Sequence, residues 1–391
     1  GNVTFTGLVG DTNPLGEITV VSAADVIGNG IRAAALLQTA GSGTTTLNTG
    51  TFSAGVSYLY GTAPATQALF TTGYSNSSKG INLNAGTISV AGRMDQAGGS
   101  SVPLVLNAGA GGLSVGADID ANGSPSLTGG GTGISIAGTI RSAGGSITLN
   151  SPVVLTGATS LNTGVGSGNI TLASTVDGGS ALTLAAGTGG IDFNGEVGGT
   201  TALSSLAVNS GTLTLDQDIE TTGAQTYGSA VSLAGASVLR GTSVGFSSTV
   251  TGNNDLFVNA ALTTADTLSI KRLEANDTVQ LGGDVTTTSS QSYGEAVTLA
   301  ADVTLTSPSY ITFEKTIDGA YALTLDADTA AGLYGTVGAQ TALTTLTTQG
   351  DAGSKTQIGA TYENVAVSVT TTGGQTYNQN LLLGGNTTLT G

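Results

Sequence analysis

An all-β, parallel solenoid with coils of about 20–22 residues is the fold class this sequence predicts, and three observations predict it. A phrase recurs together with its surroundings. Gln225-Thr226-Tyr227-Gly228 returns as Gln291-Ser292-Tyr293-Gly294 and as Gln375-Thr376-Tyr377-Asn378. The first is followed by AVSLAGASVLRGTSVGF and the second by AVTLAADVTLTSPSYITF. Short runs of strict alternation fill the chain, among them Ile134-Ser135-Ile136, Ile147-Thr148-Leu149, Ile170-Thr171-Leu172 and Leu213-Thr214-Leu215. A period of two puts the aliphatics on one face and Thr or Ser on the other. The composition completes the case. In 391 residues there are 63 Gly, no Cys, His or Trp, and only 9% charged residues. Regularly spaced aliphatics at such low charge argue against disorder.

From the amino terminus, GNVTFTGLVGDTNPLGEITVVSA has the frame of the second half of a repeat. Ala23 to Gln38 is the one helix candidate, where IRAAALLQ could make a helical turn, but Gly28 and Gly30 interrupt it and QTAGSGTTTLN resumes strand character. Phe52 to Lys79 is the least regular stretch, with Tyr58, Tyr60, Phe70 and Tyr74 close together. It reads as a coil with a longer loop whose aromatics pack on the wall, or as an exposed aromatic patch. From Ile81 onward strands follow one another, many ending in Asn or Asp before a small residue, as in Leu106-Asn107-Ala108 and Leu325-Asp326-Ala327. Such residues favour turns and can bond their own backbone, which marks corners.

The spacings set the coil. Tyr227 and Tyr293 lie 66 residues apart, and Tyr293 and Tyr377 lie 84 apart. These divide as three coils of 22 and four of 21, so that about 18–20 coils are expected in a single solenoid over residues 1–391. Phe5, Phe193, Phe246 and Phe313 share the frame [Val/Ile]-x-Phe, which predicts buried rings stacked in one corner. The third Gln-x-Tyr copy runs only to TTLTG, and TTLTG joined to GNVTF keeps the spacing of SVLRGTSVGF. The expectation is one period of a longer periodic protein that continues end to end with itself.

Charge and motifs exclude several function classes. With 25 acidic and 9 basic residues the net charge is −16, and only Lys271-Arg272 are adjacent among the basic ones. Nucleic-acid binding needs clustered Lys and Arg, so no nucleic-acid partner is expected. No run approaches the ~18 apolar residues of a membrane helix, so no membrane insertion is expected. Catalysis is not expected, because histidine and cysteine are absent and the basic residues are scattered. A secreted carbohydrate-active enzyme on the same scaffold is the alternative, and it requires acids and bases aligned across coils. No cofactor is expected. The only candidate metal ligands are three Asp-x-Asp pairs, Asp118/Asp120, Asp216/Asp218 and Asp326/Asp328, in which both carboxylates share a strand face. They are weak candidates, since the Gly- and Asp-rich nonapeptide of calcium-binding rolls is missing. Solvated acidic turns are the plainer reading, and a passive calcium- or glycan-binding module is the functional one. Thr-x-Thr rows such as Thr304-Leu305-Thr306 are scattered in sequence, which argues against a regular hydroxyl array.

The phrases QTAGSGTTTLN, GSITLNSPVVLTG, GNITLASTVDGGSALTLAA, GIDFNGEVGGTTALSSLAV and TTGAQTYGSAVSL resemble the tandem repeats of filamentous-haemagglutinin-like bacterial exoproteins. The resemblance covers nearly the whole chain, most weakly Phe52 to Lys79. It implies a right-handed β-helix, export across an outer membrane by a two-partner route, and a place on the bacterial surface in adhesion or fibres. The family's amino-terminal secretion domain is not recognisable here. The function expected is that of an extracellular structural filament or adhesin, with surface glycans and further copies of itself as partners.

Overall fold

The alternating runs become strands, and each strand pairs with the strand one coil further on rather than with its neighbour in sequence. The computed structural model describes residues 1–10, 15–48, 57–58, 61–62, 70–71, 81–95, 104–121, 123–360 and 366–391. Among these residues there is no helix, and the ladders are parallel apart from a short antiparallel pair, Ser57–Tyr58 with Gly61–Thr62. The aromatic side chains expected between Phe52 and Lys79 lie outside the described residues. The run Ile31–Gln38 is a strand paired with Leu15–Val20 and with Ile81–Leu83. Two flanking ladders outweigh the helix propensity of its Ala and Leu residues.

The chain falls into two units, Gly1–Thr212 and Leu213–Gly391. Each is a three-faced parallel solenoid whose interior is built from columns of like side chains. In the first unit one column runs Leu83, Leu106, Leu127, Leu149, Leu172, Phe193. A second runs Ile88, Leu113, Ile134, Val153, Val176. The third runs Met94, Ile119, Ile140, Leu161, Leu184, Val208. All of these side chains are buried. Each buried aliphatic contributes about 1.5–3 kcal/mol, and no coil can realise that without the coil beside it.

The second unit repeats the plan. Its first face carries Ile219, Leu239, Val258, Ala275, Tyr293, Phe313, Leu333, Ile358 and Leu383 in register. Its second face carries Tyr227, Phe246, Thr264, Leu281 and Leu299. Its third face carries Leu213, Val231, Val250, Leu268, Val285, Leu305, Leu325, Thr348 and Tyr377. One corner recurs in both units. Val176-Asp177-Gly178, Val250-Thr251-Gly252 and Ile317-Asp318-Gly319 end a strand on a glycine with φ of 118°, 136° and 135°. A Cβ on Gly252 would sit 2.4 Å from the carbonyl oxygen of Leu233 in the preceding coil, so only glycine fits there.

Two expectations are corrected. Among the described residues the strands make about 16 turns rather than 18–20. Coils between Leu213 and Leu333 advance by 17–20 residues, but the turns from Leu36 to Ile81 and from Leu346 to Gln375 take 45 and 29. The sequence repeat is also not a whole number of coils. Tyr227 lies on the second face, Tyr293 on the first and Tyr377 on the third. Each step from one Gln-x-Tyr phrase to the next crosses eleven strand positions, three and two-thirds turns. The rings therefore do not form one continuous stack.

Phe193, Phe246 and Phe313 are buried, as the frame requires. Phe246→Ala is expected to cost about 3–5 kcal/mol. The loss should appear as faster amide exchange in the coils holding Tyr227 and Thr264, because a solenoid opens locally rather than as one unit. Exchange spread evenly over Leu213–Gly391 would contradict this.

Candidate functional site

The recurring phrase is a polar corner buried inside the solenoid. At a corner, carbonyl groups turn inward with a lone pair still to satisfy; the Arg240 carbonyl, for one, already accepts the Thr221 N–H. Gln225 fills that need and is fully buried. Its Nε2 donates to the carbonyl of Ile219 at 3.2 Å and to that of Arg240, one coil on, at 2.8 Å, with Thr221 Oγ1 at 3.4 Å. Its Oε1 accepts the Tyr227 hydroxyl at 2.8 Å. Gln291 repeats the set, donating to Val285 O at 3.0 Å, Thr306 O at 2.8 Å and Thr287 Oγ1 at 3.4 Å. The Tyr293 hydroxyl donates to it at 3.0 Å. Gln375 repeats it again, with Val369 O at 3.1 Å, Thr390 O at 2.8 Å, Thr371 Oγ1 at 3.3 Å and the Tyr377 hydroxyl at 2.9 Å. One Gln thus ties its own coil to the next and orients a Tyr.

The oriented Tyr then stacks on a Phe of the following coil. Tyr227 and Phe246 have ring centres 5.1 Å apart at 18°, and Tyr293 and Phe313 are 4.8 Å apart at 7°. Burial pushes the Tyr227 and Tyr293 hydroxyls far above the ordinary phenol range. Partial burial pushes Tyr377 up to about 12. Burial, with Glu314 adding to it, raises Tyr334 as well. Sequence reasoning found the Tyr and Phe positions but missed the Gln and its Thr. The signal was present as a Thr four residues before each Gln, at Thr221, Thr287 and Thr371. In the first unit Gln38 is buried and its Oε1 accepts the Thr45 hydroxyl at 2.6 Å, while its Nε2 has no hydrogen-bond partner.

The Asp-x-Asp pairs do not converge. Asp118 Oδ1 accepts the backbone N–H of Thr139 at 2.7 Å, and Asp120 pairs with Arg93 and with Arg141, the latter at 3.4 Å. Asp218 Oδ1 accepts Val238 N–H at 2.9 Å and its other oxygen is 3.7 Å from Arg240, while Asp216 is exposed. Asp326 accepts the Gln349 amide at 3.2 Å, and Asp328 is engaged through its backbone N–H with Ser307 O. Among the described residues no three acidic groups gather in a way that could hold a metal ion. What the carboxylates do instead is cap. Asp177, Asp284, Asp302 and Asp318 each accept a backbone N–H from the next coil, as Asp118 and Asp218 do. Asn residues at strand ends do both: Asn162 Oδ1 accepts the Gly164 N–H of its own turn at 2.7 Å, while others bond along the axis. Asn107 donates to Asn84 at 3.0 Å and Asn276 to Asn259 at 2.8 Å.

The hydroxyl rows, scattered in sequence, align in the second unit. Thr214, Ser232, Thr251, Ser269, Thr286 and Thr306 stand in register on the outer side of the third face. Thr304, Thr324, Thr347 and Thr376 form a parallel row beside them. In the first unit a shallow groove of about 300 Å³ is lined by Ala, Gly, Asn84 and Asn107, whose amides bond to one another. Among the described residues no helix is long and apolar enough to cross a membrane. Compared with protein-family models, curated proteins and solved structures, the chain matches none.

Gln291→Leu keeps the volume and removes the amide, leaving Val285 O, one lone pair of Thr306 O and the Tyr293 hydroxyl unpaired. It is expected to cost about 3 kcal/mol or more, at about one to three for each of the three groups left unsatisfied. Faster amide exchange at Thr306 and Ser307, with the rest of the unit unchanged, would register it; unaltered exchange there would contradict the role.

The buried phenols also predict alkaline loss of structure. Their folded values lie above the ordinary value of about 10, so the neutral form is favoured in the fold. The stability they contribute is complete below pH ~10 and is lost as pH rises through the folded values. Tyrosinate absorbance should show Tyr377 ionising near 12, and Tyr227 and Tyr293 ionising only together with loss of the β circular-dichroism signal. Ionisation of those two in an intact fold would contradict their burial.

Proposed function

We propose that this chain is a structural segment of an extracellular bacterial filament or cell-surface adhesin. The observation that carries the reading is the Gln-x-Tyr corner, which recurs on three faces with the same hydrogen bonds and serves only to join coil to coil. The repeated chemistry is interior and mechanical. The outer faces hold Thr, Ser and Asn, as on a long solvated rod that must stay soluble. The resemblance of the repeat phrases to filamentous-haemagglutinin-like exoproteins supports the same reading and brings with it a surface location and two-partner export. Partners on this reading are further copies of the solenoid, end to end, and surface glycans. Nucleic acid is a poor fit, because five of the nine basic residues already pair with carboxylates: Arg93, Arg141, Arg240, Lys271 and Arg272.

The competing class is a carbohydrate-active enzyme, and one pair of experiments separates them. Antibody raised against the chain should label intact producing cells, with filaments visible by electron microscopy. The purified protein, incubated with pectic and other acidic glycans with and without calcium, should release no unsaturated or reducing ends above a heat-inactivated control. Labelling only after lysis, or release of such ends, overturns the proposal.

A further inference from the structure

Two of the three Gln-x-Tyr corners are completed by the coil that follows. Val244-Gly245-Phe246 lies in register with Gln225-Thr226-Tyr227, and Ile311-Thr312-Phe313 with Gln291-Ser292-Tyr293. A Val or Ile stands opposite the Gln, and a Phe stacks on the Tyr. The third corner has the same internal hydrogen bonds, yet Gln375 and Tyr377 are only half-buried. Beside them Leu381, Leu382, Leu383 and Leu389 are 39–49% exposed, a run of apolar side chains on one coil edge. The chain also holds a strand with the missing frame. Val3-Thr4-Phe5 pairs on one side with Val26-Ile27-Gly28, so Phe5 faces a glycine there, and Val3 packs on Val20, Ala23 and Val26. Val3 and Phe5 are themselves half-buried. Neither surface carries charge. Residues 374–391 and 1–8 contain no Asp, Glu, Lys or Arg, although the chain as a whole has a net charge of −16. Self-association through these edges is therefore not opposed by that charge at the point of contact.

We infer that the edge formed by Gln375, Tyr377 and Leu381–Leu383 is a socket for the strand Val3–Phe5 of a second copy of this sequence, with Phe5 stacked on Tyr377 and Val3 set against Gln375. The second copy either follows in the same polypeptide or comes from another molecule. The inference rests on the end-to-end reading above and adds its register. It is a heterologous contact, which propagates as an open filament rather than closing into a dimer.

Because the chain contains no cysteine, a disulfide can read the register directly. Outward residues on neighbouring strands lie about 4.8 Å apart, within the Cα separation a disulfide spans. The variant Thr4→Cys with Thr376→Cys is oxidised with copper–phenanthroline and run on a non-reducing gel. Ser292→Cys with Thr312→Cys, in register within one molecule, is the positive control. Thr6→Cys with Thr376→Cys is the off-register control. A second arm joins two copies directly, Gly391 to Gly1, with Thr376→Cys in the first and Thr4→Cys in the second, and maps the disulfide by peptide mass. The in-register pair is expected to close, giving multiples of the subunit mass in separate chains or an internal link in the joined pair. Closure only in the joined pair assigns the socket to a following copy in one polypeptide; closure in both assigns it to stacking molecules as well. Phe5→Ala is expected to lower the in-register yield roughly 2- to 10-fold, the worth of one aromatic pair. If the in-register pair closes no better than the off-register pair in both arms while the positive control closes, the inference is wrong. Surface filaments seen alongside that result would leave the filament reading standing without this register.

Discussion

The backbone ladder along the solenoid axis is the constraint on which everything else in the molecule depends. Each strand gives its N–H and C=O groups to the coils before and after it, so like positions are forced into columns about 4.8 Å apart. Once that register is set, an inward residue meets its counterpart in the next coil and little else. Columns of Leu, Ile and Val follow because they fill the same shape repeatedly. Polar side chains enter at particular positions, Thr264 and Thr348 within the columns and Gln225, Gln291 and Gln375 beside the corners, where the carbonyls the amides satisfy belong to two successive coils. Asp residues meet the matching need on the outside by accepting N–H groups that a turn leaves free.

Against this framework the ion pairs are minor. Arg240 with Asp218 and Lys271 with Asp255 have side chains that are a quarter to half exposed. Pairs of that kind contribute between nothing and about 1 kcal/mol each and weaken in salt. A missing corner amide leaves buried carbonyls unsatisfied and is worth more than any of them. So a chain with few charges loses little by lacking them, and its stability lies in hydrogen bonds and burial that salt does not screen. The stacked Tyr–Phe pairs add a directional element, because each Tyr is held by its hydroxyl before the next coil arrives.

Much of this fold was legible in the sequence, and the reason is its short period. The alternation in Ile147-Thr148-Leu149 or Leu213-Thr214-Leu215 states which side chains face inward, and the structure keeps that sidedness. The frame [Val/Ile]-x-Phe placed Phe246 and Phe313 inside for the same reason. What could not be read was phase. Spacing in sequence counts residues, whereas register counts strands, and the turn from Leu36 to Ile81 spends 45 residues where the one from Leu83 to Leu106 spends 23. That difference hid the alignment of Thr214, Ser232, Thr251, Ser269 and Thr286 into one outer row. It also hid the partners of Asp118 and Asp218, which lie one coil away and about twenty residues distant. The Gln of the corner was missed because a buried amide has no hydrophobic signature. Only its repetition with Thr and Tyr at fixed spacing marked it.

The phase of the repeat also limits what its surface can do. Ser232 and Thr298 are equivalent in sequence, in AVSLAG and AVTLAA, yet Ser232 lies on the third face and Thr298 on the second. The neighbours of Ser232 in the outer row, Thr214 and Thr251, are not its sequence equivalents. A repeat of three and two-thirds turns therefore carries each of its outward residues to a new face at every recurrence. The interior corner is indifferent to this rotation, since all three faces offer it the same carbonyls and two of them the same following strand. The exterior is not. A partner that recognised the repeated phrase would meet it on all sides of the solenoid in turn. A partner that bound along one face would have to read residues the repeat does not specify. Within this one chain the interior chemistry recurs where the outer pattern does not, so cohesion between coils rather than a one-sided binding stripe is the property this sequence repeats.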